Sequence, residues 1–247
     1  MKQDLSVGVL LRVGEEAEVE RASSEWLFDF GLRAGSMVSL KSADGKWLRG
    51  RVVKAGADRA RVLIFEALEQ PMESRLELIL LQAIPNKERM ELIVEKAVEL
   101  GVDLIQPFFS ARSYRLSDLP QQKWRRWQEK ARKASDQCRR GKVPKVLAPA
   151  KLEEALEVSK ESELKVVLYE GEGRAGLKGF LQKHKGAGSC SVCVGPEGGF
   201  EESEIVKMRG FGFMPVSLGG RILRTETAAI VGMGVIQFYL GDLGNSE

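Results

Sequence analysis

Two glycine-rich segments near the end of the chain combine residue types suited to binding a small ligand. The first, VGPEGGFEESEI at residues 194–205, follows a run of small apolar residues, and the second, LGGRILRTETA at residues 218–228, follows FMPVSL. Glycines lack a Cβ atom, so a ligand can approach their backbone closely. Arg221 and Arg224 add cationic side chains to the second segment. The two segments predict a ligand site built largely from backbone groups, with arginines beside it.

The elements around these segments alternate between strands and helices. LELILLQA, DLIQPFF, ELKVVLYE, SCSVCVG and FMPVSL have the character of buried strands, and a helical pattern follows each of them. This alternation predicts an α/β domain with a mostly parallel sheet, whose ligand sites lie at the carboxyl ends of the strands. Residues 1–71 instead show short alternating stretches separated by turns, which predict a small β-barrel or sandwich. We therefore expect two domains, 1–71 and 72–247.

The composition excludes several classes of protein. The 247 residues carry a formal net charge of +3, with one histidine and three cysteines. The longest uncharged run, from Thr227 to Gly241, is shorter than the roughly 18–20 residues that a membrane helix needs. The first residues lack the pattern of a signal peptide. We therefore expect a cytoplasmic protein that contacts no membrane and holds no metal.

Two other motifs have less specific interpretations. GEGRAG, residues 171–176, has the spacing of a dinucleotide-binding loop, but only two strand candidates follow it, which favours a plain strand-to-helix turn. A nicotinamide-dependent enzyme nevertheless remains an alternative. Cys190 and Cys193 lie within a strand, so we expect buried structural cysteines. A hydrolase with a catalytic histidine is disfavoured, because His184, the single histidine, lies in a lysine-flanked helix.

A strongly basic segment covers residues 123–145. Ten lysines and arginines face only Glu129 and Asp136 there. A charged helix face is often no more than a solvated surface, but an excess of one sign that continues into RRGKVPK favours contact with nucleic-acid phosphates.

Taken together, GPEGGF and LGGRILRTETA resemble the signature of the RsmE-type 16S ribosomal RNA uracil-N3 methyltransferases, of the SPOUT superfamily. NKERMELIVEKAVELGVDLIQPFFSARS and KWRRWQEKARKASDQCRR resemble the same family, so the resemblance covers residues 72–247. It implies a PUA-like RNA-binding β-barrel followed by a trefoil-knotted α/β methyltransferase domain. It also implies S-adenosylmethionine as methyl donor, a uridine N3 in the 16S ribosomal RNA of the small subunit as target, and a homodimer with active sites near the subunit interface.

The resemblance also implies roles for individual residues. Arg224 or Arg221 would stabilise negative charge on the uracil, and Glu197 is a candidate proton acceptor. The glycines are expected to leave room for the donor. By position in the motifs, the donor-site residues are Gly195, Pro196, Glu197, Gly198, Leu218, Gly219, Leu223 and Arg224. The residues expected to contact RNA are Arg112, Arg125, Arg126, Lys130, Arg132, Lys133, Arg139 and Arg140.

The sequence departs from the family pattern at three places. WLFDFGLRAG, residues 26–35, contains no histidine where the family usually has an RNA-facing segment with histidines. Gly220 occupies a position that is usually proline, and Arg139 one that is usually glycine. Two alternatives therefore stay open, an enzyme of the same fold that acts on a different RNA and an inactive RNA-binding protein.

Overall fold

The computed structural model describes residues 7–22, 28, 32–69, 73–85, 87–114, 122–171 and 175–244. The chain divides into two compact units. The first contains residues 1–74 and also 132–143, and the second contains residues 75–131 and 144–247. The segments WLFDFGLRAG and GEGRAG lie partly outside the described residues, as does the boundary predicted near residue 71.

The first unit contains an antiparallel four-stranded sheet in the order β1-β4-β3-β2. Its strands are β1 (Glu16–Glu20), β2 (Met37–Lys41), β3 (Trp47–Ala55) and β4 (Arg59–Leu68). In β4 the side chains from Ala60 to Ile64 alternate between buried and exposed, so one face of the strand packs into an apolar core. This antiparallel sheet is consistent with the small β-barrel or sandwich expected from the alternating sequence.

Residues 132–143 belong to the first unit through specific contacts. The Ser39 hydroxyl donates a hydrogen bond of 2.7 Å to the carbonyl of Arg139. A Cβ atom on Gly141 would lie 2.5 Å from the Trp47 ring, so only glycine fits this close approach. Arg140 is buried and pairs with Glu73, with Nη2 and Oε2 2.7 Å apart.

The second unit is built on a parallel sheet in the order β10-β12-β9-β11-β5-β6-β7, with β8 also paired to β6. The strands are β5 (Glu77–Ala83), β6 (Leu104–Phe109), β7 (Lys145–Val146), β8 (Ala150–Lys151), β9 (Leu164–Leu168), β10 (Ala175–Gly176), β11 (Ser189–Val194) and β12 (Met214–Ser217). The helices are α1 (Lys87–Glu99), α2 (Gln122–Gln137), α3 (Leu152–Glu157), α4 (Leu177–Gln182), α5 (Glu202–Gly210) and α6 (Thr225–Leu240), although α2 from residue 132 onward belongs to the first unit.

The central strands of this sheet are buried on both faces. Every residue of β11 is buried, as expected for a strand covered by helices on either side. Gly232 brings α6 close to the sheet, because a Cβ atom there would lie 2.8 Å from Leu168 Cδ1. Cys190 and Cys193 are buried free thiols, which confirms their structural interpretation. The α/β class with a mostly parallel sheet is confirmed.

The described residues contain neither a membrane-spanning helix nor a cluster of metal-ligating side chains. Among them, none of the helices is long and apolar enough to span a bilayer. No group of three or more histidine, cysteine or acidic side chains is arranged to hold a metal ion in that part of the chain.

Candidate active site

One pocket of the second unit, of about 440 Å³, brings the two glycine-rich segments together. Residues 195–200, here called the first wall, directly follow β11. Residues 216–219 and 221–225, the second wall, extend from the end of β12, so both walls lie at carboxyl ends of parallel strands. Leu168, Tyr169 and Glu170, at the end of β9, contribute to the lining, as do Arg89, Arg112 and Ala228. The pocket contains every residue predicted to bind the donor, and Arg221 as well.

The first glycine segment forms a tight turn. The N–H of Gly199 donates a 3.0 Å hydrogen bond to the carbonyl of Pro196, and Gly199 has φ +67°, a conformation that favours glycine. Added Cβ atoms would lie 3.2 Å from the Phe200 ring at Gly195 and 3.1 Å from Arg112 Cβ at Gly198. That Gly195 and Gly198 leave room for a ligand stays a prediction, but the structure gives a second reason for glycine at these two positions. Both make room for neighbouring protein atoms.

The second glycine segment has a more open backbone. Gly219 has φ +125°, and a Cβ atom there would have no neighbour within 4 Å. The hydroxyl of Ser217 lies 3.0 Å from both the N–H and the carbonyl of Gly219 and so fixes the turn. Within the described part of the chain, Leu218 and Leu223 form no hydrogen bond through their backbone groups. Their amide and carbonyl groups are therefore available to a ligand.

The arginines at the pocket differ in their partners. Arg112 Nη1 donates a 3.0 Å hydrogen bond to the carbonyl of Gly198, and its Nε lies 3.8 Å from Glu201. The side chains of Arg221 and Arg224 are exposed and have no hydrogen-bond or ion-pair partner among the described residues. Two cationic groups at the pocket are thus free to bind an incoming anion or a polarised carbonyl.

Glu197 has a structural partner. Its Oε1 lies 3.2 Å from Arg89 Nη1, and Arg89 Nε lies 3.8 Å from the Oε2 atom of Glu226. This Glu226 oxygen is buried and accepts no hydrogen bond from the described residues. Arg89 therefore links the first glycine segment to the start of α6, and the Glu197 carboxylate is already engaged by a cation.

A buried carboxylate that sequence reasoning missed connects two loops of the site. Glu204 Oε1 accepts a 3.0 Å hydrogen bond from the N–H of Ala111, and its Oε2 accepts one of 2.9 Å from the N–H of Glu201. Ala111 belongs to the SARS loop after β6, whereas Glu201 closes the first glycine segment. The spacing from Glu201 to Glu204 is that of a capping box, which was the available sequence signal.

The Tyr169 hydroxyl is held at the rim of the pocket. It donates a 2.7 Å hydrogen bond to Glu202 Oε2, and this bond raises the pKa of Tyr169. Gly171 packs on the Tyr169 ring, since an added Cβ atom would lie 2.3 Å from it. Gly171 of the GEGRAG segment is thus required for close packing on an aromatic ring.

The residues predicted to contact RNA separate into distinct environments. Arg125 and Arg126 are exposed on α2, and the Arg125 guanidinium lies 5.9 Å from the centre of the Trp124 ring. Lys130 pairs with Glu95, and Arg132 pairs with Asp136 at 3.0 Å. Lys133 and Arg139 are exposed, although Arg139 lies 3.4 Å from Glu66.

Arg140 has a different environment from the other basic residues. Its side chain is only 4% exposed, and Nε lies 3.2 Å from both carboxylate oxygens of Glu73. Glu73 also accepts a 3.0 Å hydrogen bond from the N–H of Lys142. The structure thus assigns Arg140 to the internal support of its loop, because a buried and paired guanidinium is not presented to an external phosphate.

The lining of the pocket suits a ligand with both apolar and polar parts. The volume lies within the roughly 300–1,000 Å³ of small-molecule sites. Leu168, Val216 and Ala228 supply apolar surface, whereas the open backbone near Gly219 supplies hydrogen-bonding groups. A nucleoside joined to an amino acid, as in S-adenosylmethionine, has this combination of surfaces. The residues present therefore fit the donor that the sequence resemblance implied.

Comparisons with known proteins agree with this geometry. The family model of the RNA methyltransferase domain matches residues 72–237. Ribosomal RNA small subunit methyltransferase E of Mesomycoplasma hyopneumoniae (strain 232) is 34% identical over 168 residues, which cover 68% of this chain and 72% of the relative. The enzyme of the same name from Bacillus subtilis (strain 168) is 27% identical over 213 residues, covering 84% of this chain and 83% of the relative.

Solved structures extend the similarity to nearly the whole chain. Ribosomal RNA small subunit methyltransferase E from Neisseria gonorrhoeae, bound to S-adenosylmethionine, is 31% identical with a TM-score of 0.68 and covers 96% of this chain and 98% of its own. A Legionella pneumophila methyltransferase in complex with the same cofactor is 28% identical, also with a TM-score of 0.68, and covers 98% of this chain and 100% of its own. The predicted fold class, an α/β SPOUT methyltransferase domain with a parallel sheet, is confirmed, and the antiparallel sheet of the first unit is consistent with the PUA-like β-barrel expected before it. The trefoil knot stays an implication of the family resemblance. The chain belongs to the RNA methyltransferase family that includes ribosomal RNA small subunit methyltransferase E.

Proposed function

We propose that this protein transfers a methyl group from S-adenosylmethionine to N3 of a uridine in the 16S ribosomal RNA of the small subunit. One observation carries the proposal: both motif segments that resemble the family form the walls of a single pocket. Relatives named ribosomal RNA small subunit methyltransferase E support the RNA target, and one of them was solved with S-adenosylmethionine bound. The uracil N3 position rests on the sequence resemblance.

The donor would be held mainly by main-chain groups. The open backbone at Leu218, Gly219 and Leu223 would form one wall, and the turn at Gly195, Pro196 and Gly198 would form the other. When bound, S-adenosylmethionine supplies a methyl group on a positively charged sulfur.

The catalytic residues would act on the uracil. Arg221 and Arg224 are free to donate hydrogen bonds to the uracil oxygens, on which negative charge develops as the N3 proton leaves. Glu197 is a weaker candidate for the proton acceptor, since Arg89 already pairs with it. We therefore assign Arg224 and Arg221 to charge stabilisation and retain Glu197 as a donor-site residue through its contact with Arg89.

Ribosomal RNA would contact the exposed basic face of α2. Arg125 and Arg126 have no carboxylate within ion-pair distance among the described residues, so they are the strongest candidates for phosphate contact. Arg112 lies at the pocket and would be nearest the target nucleotide. Lys130, Arg132, Lys133 and Arg139 remain further candidates for RNA contact, although Lys130, Arg132 and Arg139 each have an acidic partner. The 1–71 segment remains our proposal for an RNA-binding domain, and a cytoplasmic location stays a prediction.

A second copy of the chain is the proposed partner of the helix pair α1 and α6. These helices pack on each other and leave Leu92, Val231 and Phe238 between 40% and 59% exposed. Burial of these three apolar side chains against a second copy would remove them from water and so favour association. We therefore propose a homodimer formed through these helices.

The experiment that tests the function measures transfer of labelled methyl groups to unmodified small subunits and to naked 16S ribosomal RNA. Nucleoside chromatography then identifies the product. Label in 3-methyluridine is the expected result, and the better acceptor identifies the natural form of the substrate. Donor binding without transfer to either substrate would favour an enzyme of the same fold with another RNA target. Absence of donor binding would favour an inactive RNA-binding protein.

A further inference from the structure

A buried polar cluster connects the two walls of the pocket. It consists of Gln82 at the end of β5, Gly195 just after β11, and Thr225 at the first position of α6. The Gln82 side chain is fully buried and Thr225 is 5% exposed. Because β5 and β11 pair in parallel with Val194 opposite Gln82, the glutamine lies directly beside the start of the first glycine segment.

The hydrogen bonds of this cluster converge on one carbonyl group. The Thr225 hydroxyl donates a 2.6 Å bond to the carbonyl of Gly195. Gln82 Nε2 lies 3.1 Å from the Thr225 hydroxyl oxygen and 3.4 Å from the same Gly195 carbonyl, and it also donates a 2.9 Å bond to the carbonyl of Ala83. Two side chains from two other elements therefore fix the carbonyl with which the first wall begins.

The cluster is not optimal for stability alone. Gln82 Oε1 is buried and accepts no hydrogen bond from the described residues. A buried acceptor without a donor lowers stability, and an apolar side chain of similar size avoids that cost. The amide cannot simply be reversed, because the carbonyl oxygens of Ala83 and Gly195 accept hydrogen bonds and do not donate them. The amide of Gln82 therefore contributes to this cluster through its NH₂ group alone.

We propose that Gln82 and Thr225 are positioning residues that hold the two walls of the donor pocket in a fixed position relative to each other. Thr225 directly follows Arg224 at the end of the second wall, and Gly195 begins the first wall. The hydrogen bond from the Thr225 hydroxyl to the Gly195 carbonyl therefore holds these two ends together. Gln82 orients the Thr225 hydroxyl and acts on the pocket through Thr225 and Gly195. This inference rests on the proposed function, because the ligand it concerns is S-adenosylmethionine.

Substitutions of Thr225 test the hydrogen bond with little change in shape. Thr225→Val keeps the branched side chain and removes the hydroxyl, whereas Thr225→Ser keeps the hydroxyl. We expect Thr225→Val to weaken S-adenosylmethionine binding to the full chain about tenfold, as for loss of one buried hydrogen bond, and Thr225→Ser to stay within about twofold. Thr227→Val is the matched control, since Thr227 is exposed two residues further along α6 and should bind normally.

A second measurement follows the backbone hydrogen exchange of the two walls in the ligand-free protein. Hydrogen exchange of residues 195–199 and 218–224 should accelerate in Thr225→Val and remain unchanged in Thr225→Ser and Thr227→Val. Gln82→Met should likewise weaken binding and accelerate exchange while it retains the melting temperature, because it also removes the orphaned acceptor. Should Thr225→Val not fold, Gln82→Met carries the test.

The outcomes separate this inference from the proposed function. Normal donor affinity and unchanged exchange in both Thr225→Val and Gln82→Met would overturn the positioning role, even if the wild-type protein is an active methyltransferase. A wild-type protein that binds no S-adenosylmethionine would overturn the proposed function. The exchange rates of the ligand-free variants would then still decide whether the cluster holds the two walls together.

Discussion

Gly232 in α6 lies against Leu168, which lines the candidate pocket, so even one added methyl group at Gly232 should disturb the pocket. A Cβ atom on Gly232 would lie 2.8 Å from Leu168 Cδ1, whereas carbon atoms in favourable contact are about 3.5–4.0 Å apart. The Leu168 side chain would therefore have to move by about 1 Å in Gly232→Ala. Since Leu168 lines the pocket, the displacement should weaken donor binding as well as stability.

Two opposing contributions set the size of the stability change. Alanine in a helix interior is favoured over glycine by about 0.5–1 kcal/mol, whereas an extra methyl group in a packed interior costs about 1–3 kcal/mol. We expect Gly232→Ala to lower the free energy of unfolding by up to about 2.5 kcal/mol. Gly234, in the same helix, is a matched control, because a Cβ atom there would meet only Leu100 Cδ2 at 4.0 Å. Gly234→Ala should therefore raise the free energy of unfolding by about 0.5–1 kcal/mol.

Urea unfolding followed by circular dichroism measures both stabilities, and calorimetric titration measures the affinity for S-adenosylmethionine. The expected result is a change of opposite sign in the two variants, with weaker binding in Gly232→Ala alone. Combining Gly232→Ala with Leu168→Ala removes the clash, so the loss in the double variant should be smaller than the sum of the two single losses. Equal stability of the two alanine variants would refute the close contact between Gly232 and Leu168.

Four further predictions concern residues away from that contact. Burial raises the pKa of Cys190 from 9.0 to about 12, so this thiol stays protonated in the folded protein while the unfolded chain ionises. About 4 kcal/mol of stability should be lost as the pH rises from 9 to 12, and the slope of urea stability against pH should be shallower in Cys190→Ala. Arg139 has φ +66°, so Arg139→Gly should raise the free energy of unfolding by about 1 kcal/mol, and a lower urea midpoint would contradict this. In RNA-binding assays, the slope of log binding constant against log salt concentration should become shallower by about 1 in each of Arg125→Ala and Arg126→Ala. Arg140→Ala should instead destabilise the protein by about 3–5 kcal/mol, because it leaves the buried Glu73 carboxylate without its cation.

The location of the pocket could be predicted from the sequence because it depends on one general property of parallel sheets. Carboxyl ends of parallel strands meet at the same edge, so segments after two strands are brought together whatever their separation along the chain. The order of the strands required the structure. Gln82 and Thr225 are 143 residues apart, and their contact arises only because β5 and β11 are neighbours. A glutamine at the end of an apolar strand has no local feature that indicates such a partner.

The basic segment illustrates a second limit of sequence reasoning. Composition showed an excess of positive charge over residues 123–145, and from it we predicted that the whole segment contacts RNA. The burial of Arg140 depends on Glu73, which is 67 residues away and belongs to the same compact unit. The left-handed backbone at Arg139 gives a physical reason for the glycine usual in the family at that position.

The glycines of the two walls satisfy different physical requirements, although they look alike in the sequence. Gly195 and Gly198 are restricted by Phe200 and Arg112, so their substitution should disturb the packing behind the first wall. Gly219 is restricted by its backbone conformation alone and has open space around its Cα atom. Any side chain at this position would project into space that no protein atom occupies. A substitution at Gly219 should therefore affect donor binding directly. Substitutions at Gly195 and Gly198 should affect it through the packing of Phe200 and Arg112.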